Sequence, residues 1–483
     1  MNSNKGKKQV GSILSGVKWS GLNSVSMAFV KVIRGAVIPK ILHTPQEYGL
    51  FSSVGIFSRY LQFSDFGARA YLSKVLPHQY FNEEDESTQR LLDQVFSFIV
   101  FSFLLIIIYL TILSYFYKGN SQSFYKSALI ALIPSTIFMK LREYYSTIAN
   151  SIQNYRLSSS TGIYSDLLSL LLVVGGVYFY GAIGGIYAQI LVELVLFIYI
   201  FNKIKIKNKI ILSFQIFQNI KAYLKLFSIL IIEVINNTLD QIFILWFFTH
   251  YDYGVYALGT AFGWVMIAIS GVFVTSLQPK IMAFRIIDSK RVERYLHDSI
   301  LIFLLFCLLV IPFLAIGLTF FIKVYLTAFM EGLKIYLLLI FSSLIRSCII
   351  LIRTFYIAKN KELFYVKLSV FNVLLISLIY LAGHFIGLSF FSMIYAFIVG
   401  DMIIFLVNYK FITDTNFFNE SFKSMGTILF TFALVIIYVS FDANITTKPI
   451  SILVVLSLCL LISGFVLLLL FKNKNKIMFL LYE

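Results

Sequence analysis

Long apolar stretches recur along the whole chain, and only short polar segments separate them. A transmembrane helix needs about 20 mainly apolar residues, and stretches of that length predict fourteen helices. The predicted helices cover residues 13–38, 47–68, 91–117, 127–149, 161–180, 183–201, 223–248, 254–277, 299–322, 333–357, 364–385, 388–408, 425–441 and 450–471. The predicted fold class is therefore all-α, and no stretch is left for a separate soluble domain.

The composition excludes a soluble protein. Of the 483 residues, 59% are hydrophobic and only 13% are charged, and the mean hydropathy is +0.86. A water-soluble core cannot absorb so many apolar runs, so the chain is expected to be a polytopic membrane protein. Its basic N-terminal segment is interpreted as retained, because no small-residue cleavage site follows it.

The net charge of +17 would suggest nucleic-acid binding in a soluble protein, but here its distribution carries the information. Cytoplasmic loops of membrane proteins are enriched in Lys and Arg. This bias places both termini in the cytoplasm, with membrane lipids rather than nucleic acid as the partners of the excess charge. Six of the 40 Lys and Arg residues fall in the predicted outer loops: Lys40, Lys118, Lys126, Lys323, Lys334 and Lys448.

A weak internal repeat relates the two halves of the chain. The segment HTPQEYGLFSSVG matches THYDYGVYALGTA, which places Tyr48 over Tyr253, and Glu193 falls over Asp401 in a second match. The offsets are close to 206 residues, so we predict two related six-helix lobes, residues 1–205 and 206–415. Residues 416–483 add the last two helices. An even number of helices per lobe gives a parallel repeat.

Three permanent cations interrupt the first two predicted helices. Lys31 and Arg34 share one helical face with Ser20, Ser24 and Met27, and Arg59 lies in the middle of the second helix. A charge at membrane depth costs about 2.5–3.5 kcal/mol on insertion scales, so it normally faces the bundle interior and marks a ligand path. The alternative is that Lys31 and Arg34 reach outward to lipid headgroups.

The repeat places an acidic stripe opposite this basic one. At an offset of 206 residues, Lys31 and Arg34 correspond to Asn237 and Asp240 of the seventh helix, where Glu233 lies on the same face. The stripes are expected to meet across a central cleft, because an unpaired charge there is costly. The pair is either a static link between the lobes or a contact that substrate binding breaks.

Further ionisable residues lie inside predicted helices. Glu193 and Asp401 are related by the repeat and are candidates for proton or sodium coupling, because buried carboxylates titrate towards neutral pH. Asp65 is one turn from an arginine and is a candidate gate residue. Arg346 is either a fourth cation of the cavity or structural, and Asp166 is interpreted as structural.

Motifs for catalysis and cofactor binding are absent from the sequence. It holds no HExxH, CxxC, P-loop or dinucleotide-binding fingerprint, and no nucleophile with a base beside it. The three cysteines fall within apolar runs without metal-ligand spacing. We therefore predict a protein that is not an enzyme and has no cofactor.

Several short motifs together resemble a known family. They are Trp19-Ser20-Gly21 at the first helix, the stretch from Pro39 to Leu50, Asp65-x-Gly67, and Tyr253-Gly254 followed by Leu277-x-Pro279. The chain resembles the polysaccharide-type flippases of the multidrug/oligosaccharidyl-lipid/polysaccharide exporter superfamily, which translocate O-antigen or capsule repeat units.

This resemblance implies a function for the cations. It implies that an undecaprenyl-pyrophosphate-linked oligosaccharide is turned from the cytoplasmic to the outer leaflet of the bacterial inner membrane by alternating access. Lys31, Arg34, Arg59 and Arg346 are then expected to bind substrate, and a polysaccharide polymerase is a candidate partner. A lipid II flippase, a multidrug cation exporter and a membrane-embedded polymerase are the alternatives.

Overall fold

The computed structural model describes residues 19, 21–23, 26–27, 29–81, 85–117, 121–204, 206, 208–211, 217–284, 289–358 and 361–412. Within these ranges all regular secondary structure is helical, which confirms the all-α prediction. The chain divides into two compact units, Met1–Gly254 and Val255–Glu483.

The first unit contains eight helices in its described residues. They are α1 (29–42), α2 (Pro45–Leu61), α3 (Ala68–Phe81), α4 (Asp85–Phe116), α5 (Gln122–Ser151), α6 (Tyr155–Leu168), α7 (Val174–Lys203) and α8 (Ile220–Phe247). A five-residue π-helical segment, Ser169–Val173, joins α6 to α7. Within α7 the backbone breaks at Tyr180 and Gly181, at the predicted connection between the fifth and sixth helices.

The second unit continues with the remaining described helices. They are α9 (His250–Phe284), which starts at the boundary, α10 (Ser289–Tyr325), α11 (Leu333–Ala358), α12 (Glu362–Phe385) and α13 (Phe390–Ile412). The first unit includes α8, which the repeat assigns to the second lobe. The predicted bounds 1–205, 206–415 and 416–483 therefore stay a prediction about the repeat.

Local capping signals fix where two of the helices begin. Thr44 accepts a hydrogen bond from the backbone N–H of Glu47 at 3.2 Å, and Pro45 occupies the first turn of α2. Asn154 accepts a hydrogen bond from the backbone N–H of Leu157 at 3.3 Å and so caps α6. Both caps satisfy N–H groups that the first turn of a helix leaves without partners.

The second predicted helix, residues 47–68, is wrong in one respect, because the structure breaks it in two. α2 ends at Leu61, turns follow, and α3 begins at Ala68. Phe66 and Gly67 have φ angles of 47° and 84°, a left-handed conformation that cannot continue a helix. A Cβ at Gly67 would overlap the carbonyl oxygen of Tyr223 in α8. The apolar pattern runs through this break and hides it.

The length of the helices and the apolar side chains on their surface show that the chain is a multi-pass membrane protein. Six described segments are long and apolar enough to cross a membrane: Glu86–Phe116, Gln122–Ser151, Tyr155–Lys203, Thr327–Arg353, Leu363–Phe385 and Phe390–Lys410. On α4, Leu104, Ile108 and Ile112 form a stripe and are 57%, 55% and 52% exposed. Such a stripe fits lipid rather than water. The total of fourteen stays a prediction, because helices 425–441 and 450–471 lie outside the described residues.

Two glycines related by the repeat allow the starts of α2 and α9 to touch. A Cβ on Gly49 would overlap the carbonyl oxygen of His250, and a Cβ on Gly254 would overlap the carbonyl oxygen of Pro45. Each glycine therefore stands where the backbone of the other helix takes the space of a side chain. Gly55, further along α2, has no atom within 4 Å of its Cβ position.

We expect the two glycines of α2 to respond oppositely to alanine. Gly55→Ala should raise the free energy of unfolding by up to about 1 kcal/mol, because alanine favours the helix and meets no neighbour. Gly49→Ala should lower it by about 1–3 kcal/mol, because the methyl group forces the helices apart. Unfolding of the purified chain in detergent measures both effects. Equal stabilisation by the two substitutions would contradict the close packing.

Candidate functional site

The start of α1 and the described helical residues before it run alongside α6 and the segment that follows α6. The guanidinium of Arg156 lies 5.8 Å from the ring centroid of Trp19, and a Cβ on Gly162 would overlap the side chain of Asn23. Further along, Arg34 Nη1 donates a hydrogen bond to Ser169 Oγ at 2.5 Å. Residue numbers rise together along both segments, so the two run parallel, and Arg34 of the predicted polar face lies against the residue that follows α6.

The π-helical segment positions the hydroxyl group that accepts the hydrogen bond from Arg34. Ser169 is its first residue and is buried. A π-helical turn shifts the side chains that follow relative to an α-helix, and such turns often occur at functional sites. Arg34 is thus held by a protein hydroxyl, which argues against the alternative that its guanidinium extends to headgroups.

Lys31, Arg34 and Arg59 form one group of cations, here called the basic cluster. Lys31 interacts electrostatically with Arg59, Arg34 and Asp166, and Asp166 also interacts with Arg34 and Arg142. All three cations are partly buried. The structure thus brings Lys31 within electrostatic range of both arginines. Arg59 lies in the last turn of α2 rather than in mid-helix.

The predicted acidic stripe on α8 lies beside α2. Arg59 Nη1 donates to Gln241 Oε1 at 3.2 Å, and the hydroxyls of Tyr60 and Thr238 are 2.7 Å apart. Asp240 is 1% exposed, and its Oδ1 accepts the backbone N–H of Gln241 at 2.9 Å.

The predicted pair between Arg34 and Asp240 is not formed in the described part of the chain, where Arg34 donates to Ser169 instead. Asp240 interacts electrostatically with Tyr60 and Tyr253. The side chain of Glu233 lies outside the described atoms.

A second group of charges surrounds the break between α2 and α3. Arg69 forms ion pairs with Asp65 and with Glu143, and Lys140 lies 3.5 Å from Asp65. Arg69 and Lys140 also donate to the carbonyl oxygen of Gln62, which the end of α2 leaves without a helical partner. Asp65 and Lys140 are 2% and 0% exposed. The predicted pairing of Asp65 with Arg69 is confirmed.

The carboxylates Glu193 and Asp401 each bind an arginine in equivalent helix pairs. Between α5 and α7, Arg142 Nε lies 2.7 Å from Glu193 Oε2. Between α11 and α13, Arg346 Nε lies 2.9 Å from Asp401 Oδ2. Each unit thus holds one such pair, an arrangement expected of the repeat. Arg346 has a carboxylate partner within its own unit, which favours the structural interpretation of this residue.

Sequence reasoning missed several residues of these groups. Lys140, Arg142 and Glu143 stand in one predicted helix, and three charges within four positions of an apolar helix were a usable signal of a buried network. Ser169 gave no signal, because a lone serine in a leucine-rich run looks like any packing residue.

The fold and the basic cluster define a class of protein: an all-helical, multi-pass membrane protein with cations held among the helices of its first unit. This fold is similar to that of transporters of the multidrug/oligosaccharidyl-lipid/polysaccharide (MOP) exporter superfamily. The resemblance inferred from the sequence motifs is thus confirmed at the level of the fold.

Comparison with solved structures gives a measure of this similarity. The lipid II flippase MurJ in an inward closed conformation gives a TM-score of 0.68 at 15% identity, covering 96% of this chain and 100% of that one. An outward-facing multidrug resistance MATE family transporter of the MOP superfamily gives 0.54 at 13% identity, covering 85% and 96%. The Vibrio cholerae MATE transporter VcmN in the bent form gives 0.55 at 14% identity, covering 87% and 99%.

No protein-family model matches the chain, and no curated protein matches it in sequence. At 13–15% identity, the structural likeness shows the fold alone.

The buried group around Asp65 gives a test of its role. We expect Asp65→Asn to lower the free energy of unfolding by about 3–5 kcal/mol, because Lys140 and Arg69 lose a buried counter-charge. Adding Lys140→Met should recover much of that loss. Glu86→Gln, in an exposed pair with Arg90, is the matched control and should change stability by about 0–1 kcal/mol.

A different result would reassign Asp65. If Asp65→Asn leaves the unfolding free energy unchanged but alters transport, the gate role predicted from the sequence replaces the structural one.

Proposed function

We propose that this protein is a flippase for undecaprenyl-pyrophosphate-linked oligosaccharide repeat units of O-antigen or capsule. It would move them from the cytoplasmic to the outer leaflet of the bacterial inner membrane by alternating access, with both of its termini in the cytoplasm. The observation that carries the proposal is the basic cluster, in which Lys31, Arg34 and Arg59 come together from α1 and α2.

The chemistry of the basic cluster suits a pyrophosphate. A pyrophosphate diester is a compact dianion, and Arg and Lys bind phosphate oxygens through charge-assisted hydrogen bonds. Asp166 lies within electrostatic range of Lys31 and Arg34, and Asp240 lies next to Gln241, the partner of Arg59. Donors of Arg34 beyond its bond to Ser169 are available for phosphate oxygens.

The positive charge of the basic cluster also argues against a multidrug exporter. A transporter for organic cations needs an acidic or aromatic site, and three gathered cations would repel such cargo. A lipid II flippase is the second candidate, because the MurJ structure gives a TM-score of 0.68. Both candidates share a pyrophosphate-linked lipid, so the glycan is what distinguishes them.

The contacts of the buried carboxylates indicate which of them could couple transport to an ion. Asp240 and Glu233 on α8 are proposed to form a proton or sodium site, since Asp240 is buried beside the tyrosines of α2 and α9. Glu193 and Asp401 are held by arginines and fit a structural role better. A polysaccharide polymerase is the proposed partner, because it would take up the translocated units.

A reconstitution experiment tests the proposed cargo. The purified chain in liposomes should transfer a fluorescent undecaprenyl-pyrophosphate oligosaccharide between leaflets, followed by quenching of the label exposed outside. Lys31→Gln, Arg34→Gln and Arg59→Gln should each slow transfer about tenfold or more, because each removes a charge-assisted hydrogen bond worth about 1.5–3 kcal/mol. Arg90→Gln, at an exposed position, should transfer at the rate of the unsubstituted protein.

Two results would contradict the proposal. One is equal transfer of a phosphate-free undecaprenol glycan; the other is full activity in all three variants of the basic cluster. Preferred transfer of lipid II over repeat units would select the second candidate.

A further inference from the structure

We infer that Asp166 is the resident counter-anion of the basic cluster, which competes with the substrate phosphate and so sets how tightly the anion is held. The inference rests on the proposed function, because it deepens the account of the same site. It also replaces the interpretation of Asp166 as merely structural.

The helical register places Asp166 level with the cations. On α6, Asp166 is one turn before Ser169, and on α1, Lys31 is one turn before Arg34. Since Arg34 bonds Ser169 and the two helices run parallel, the preceding turns bring Lys31 and Asp166 together. Their electrostatic interaction agrees with this register.

Asp166 differs from the other carboxylates near it. Glu193, Glu143 and Asp65 are each bound directly to an arginine. Asp166 instead accepts a hydrogen bond from Ser26 and interacts electrostatically with Lys31, Arg34 and Arg142. It therefore balances several cations at once without forming a tight ion pair with one of them.

This arrangement has two physical consequences. Without substrate, Asp166 lowers the cost of keeping three like charges in partly buried positions. With substrate, its negative charge repels the phosphates and weakens their binding. A transporter must release its cargo on the far side, so a site that binds weakly enough to empty is an advantage.

The test measures affinity and transport together. Undecaprenyl pyrophosphate is titrated onto the full chain in nanodiscs, and transfer rates are taken in liposomes. Asp166→Asn, which keeps the shape of the side chain, should lower the Kd for undecaprenyl pyrophosphate about tenfold, equivalent to about 1.4 kcal/mol. The transfer rate should fall in the same variant, because release becomes slower.

Two controls and a second neutral variant assign the effect to the charge at this position. Asp166→Glu keeps the charge and should bind as the unsubstituted protein does. Glu86→Gln removes one negative charge from an exposed position and should change neither quantity. Asp166→Ser, a second neutral variant, repeats the measurement if Asp166→Asn does not fold.

The outcomes separate this inference from the proposed function. If the unsubstituted chain binds undecaprenyl pyrophosphate no better than undecaprenol, the proposed function fails. If it binds the pyrophosphate but the neutral variants bind equally or more weakly, Asp166 is a structural residue and the inference is overturned. Tighter binding with slower transfer supports it.

Discussion

The structure depends on one constraint: charges placed among apolar helices must be balanced by charges or dipoles close by. Most of the buried cations in the described part of the first unit satisfy this constraint by forming ion pairs with carboxylates. Arg142 pairs with Glu193, and Arg69 pairs with two carboxylates. Even Lys140, which has no exposed surface, contacts Asp65 and the backbone carbonyl of Gln62.

The basic cluster meets the same constraint with neutral groups as well as with charges. Arg34 and Arg59 donate to the neutral groups Ser169 and Gln241, and Asp166 interacts electrostatically with Lys31 and Arg34. The cations of the cluster repel one another, and an anion that binds between them relieves this repulsion. Charges that pair directly with one another hold helices together, and the cations of the basic cluster are the ones proposed to bind a substrate.

Breaks in the helices supply much of the polar chemistry. The end of α2 frees the carbonyl of Gln62, which accepts hydrogen bonds from two cations. The π-helical turn after α6 places Ser169 against Arg34. Gly67 and Gly49 let backbones approach where a side chain would not fit. Regular helices provide the apolar scaffold, and their irregular points provide hydrogen-bonding groups at depth.

The sequence predicted the helices that carry a continuous apolar run, because burial and lipid exposure both demand such runs. It also predicted that Lys31, Arg34 and Arg59 face the interior, since a charge in an apolar helix costs least away from lipid. The partners of Arg34 could not be predicted, because symmetry suggested Asp240 whereas packing of α1 on α6 supplied Ser169. The break near Gly67 depends on a tertiary contact with Tyr223, which no local pattern reports.

The most direct test is a cryo-EM map of the full chain in nanodiscs with undecaprenyl pyrophosphate bound. The account predicts density for the two phosphates within hydrogen-bond distance of at least two of Lys31, Arg34 and Arg59. Diphosphate density away from α1 and α2, or these three side chains turned towards lipid, would contradict it.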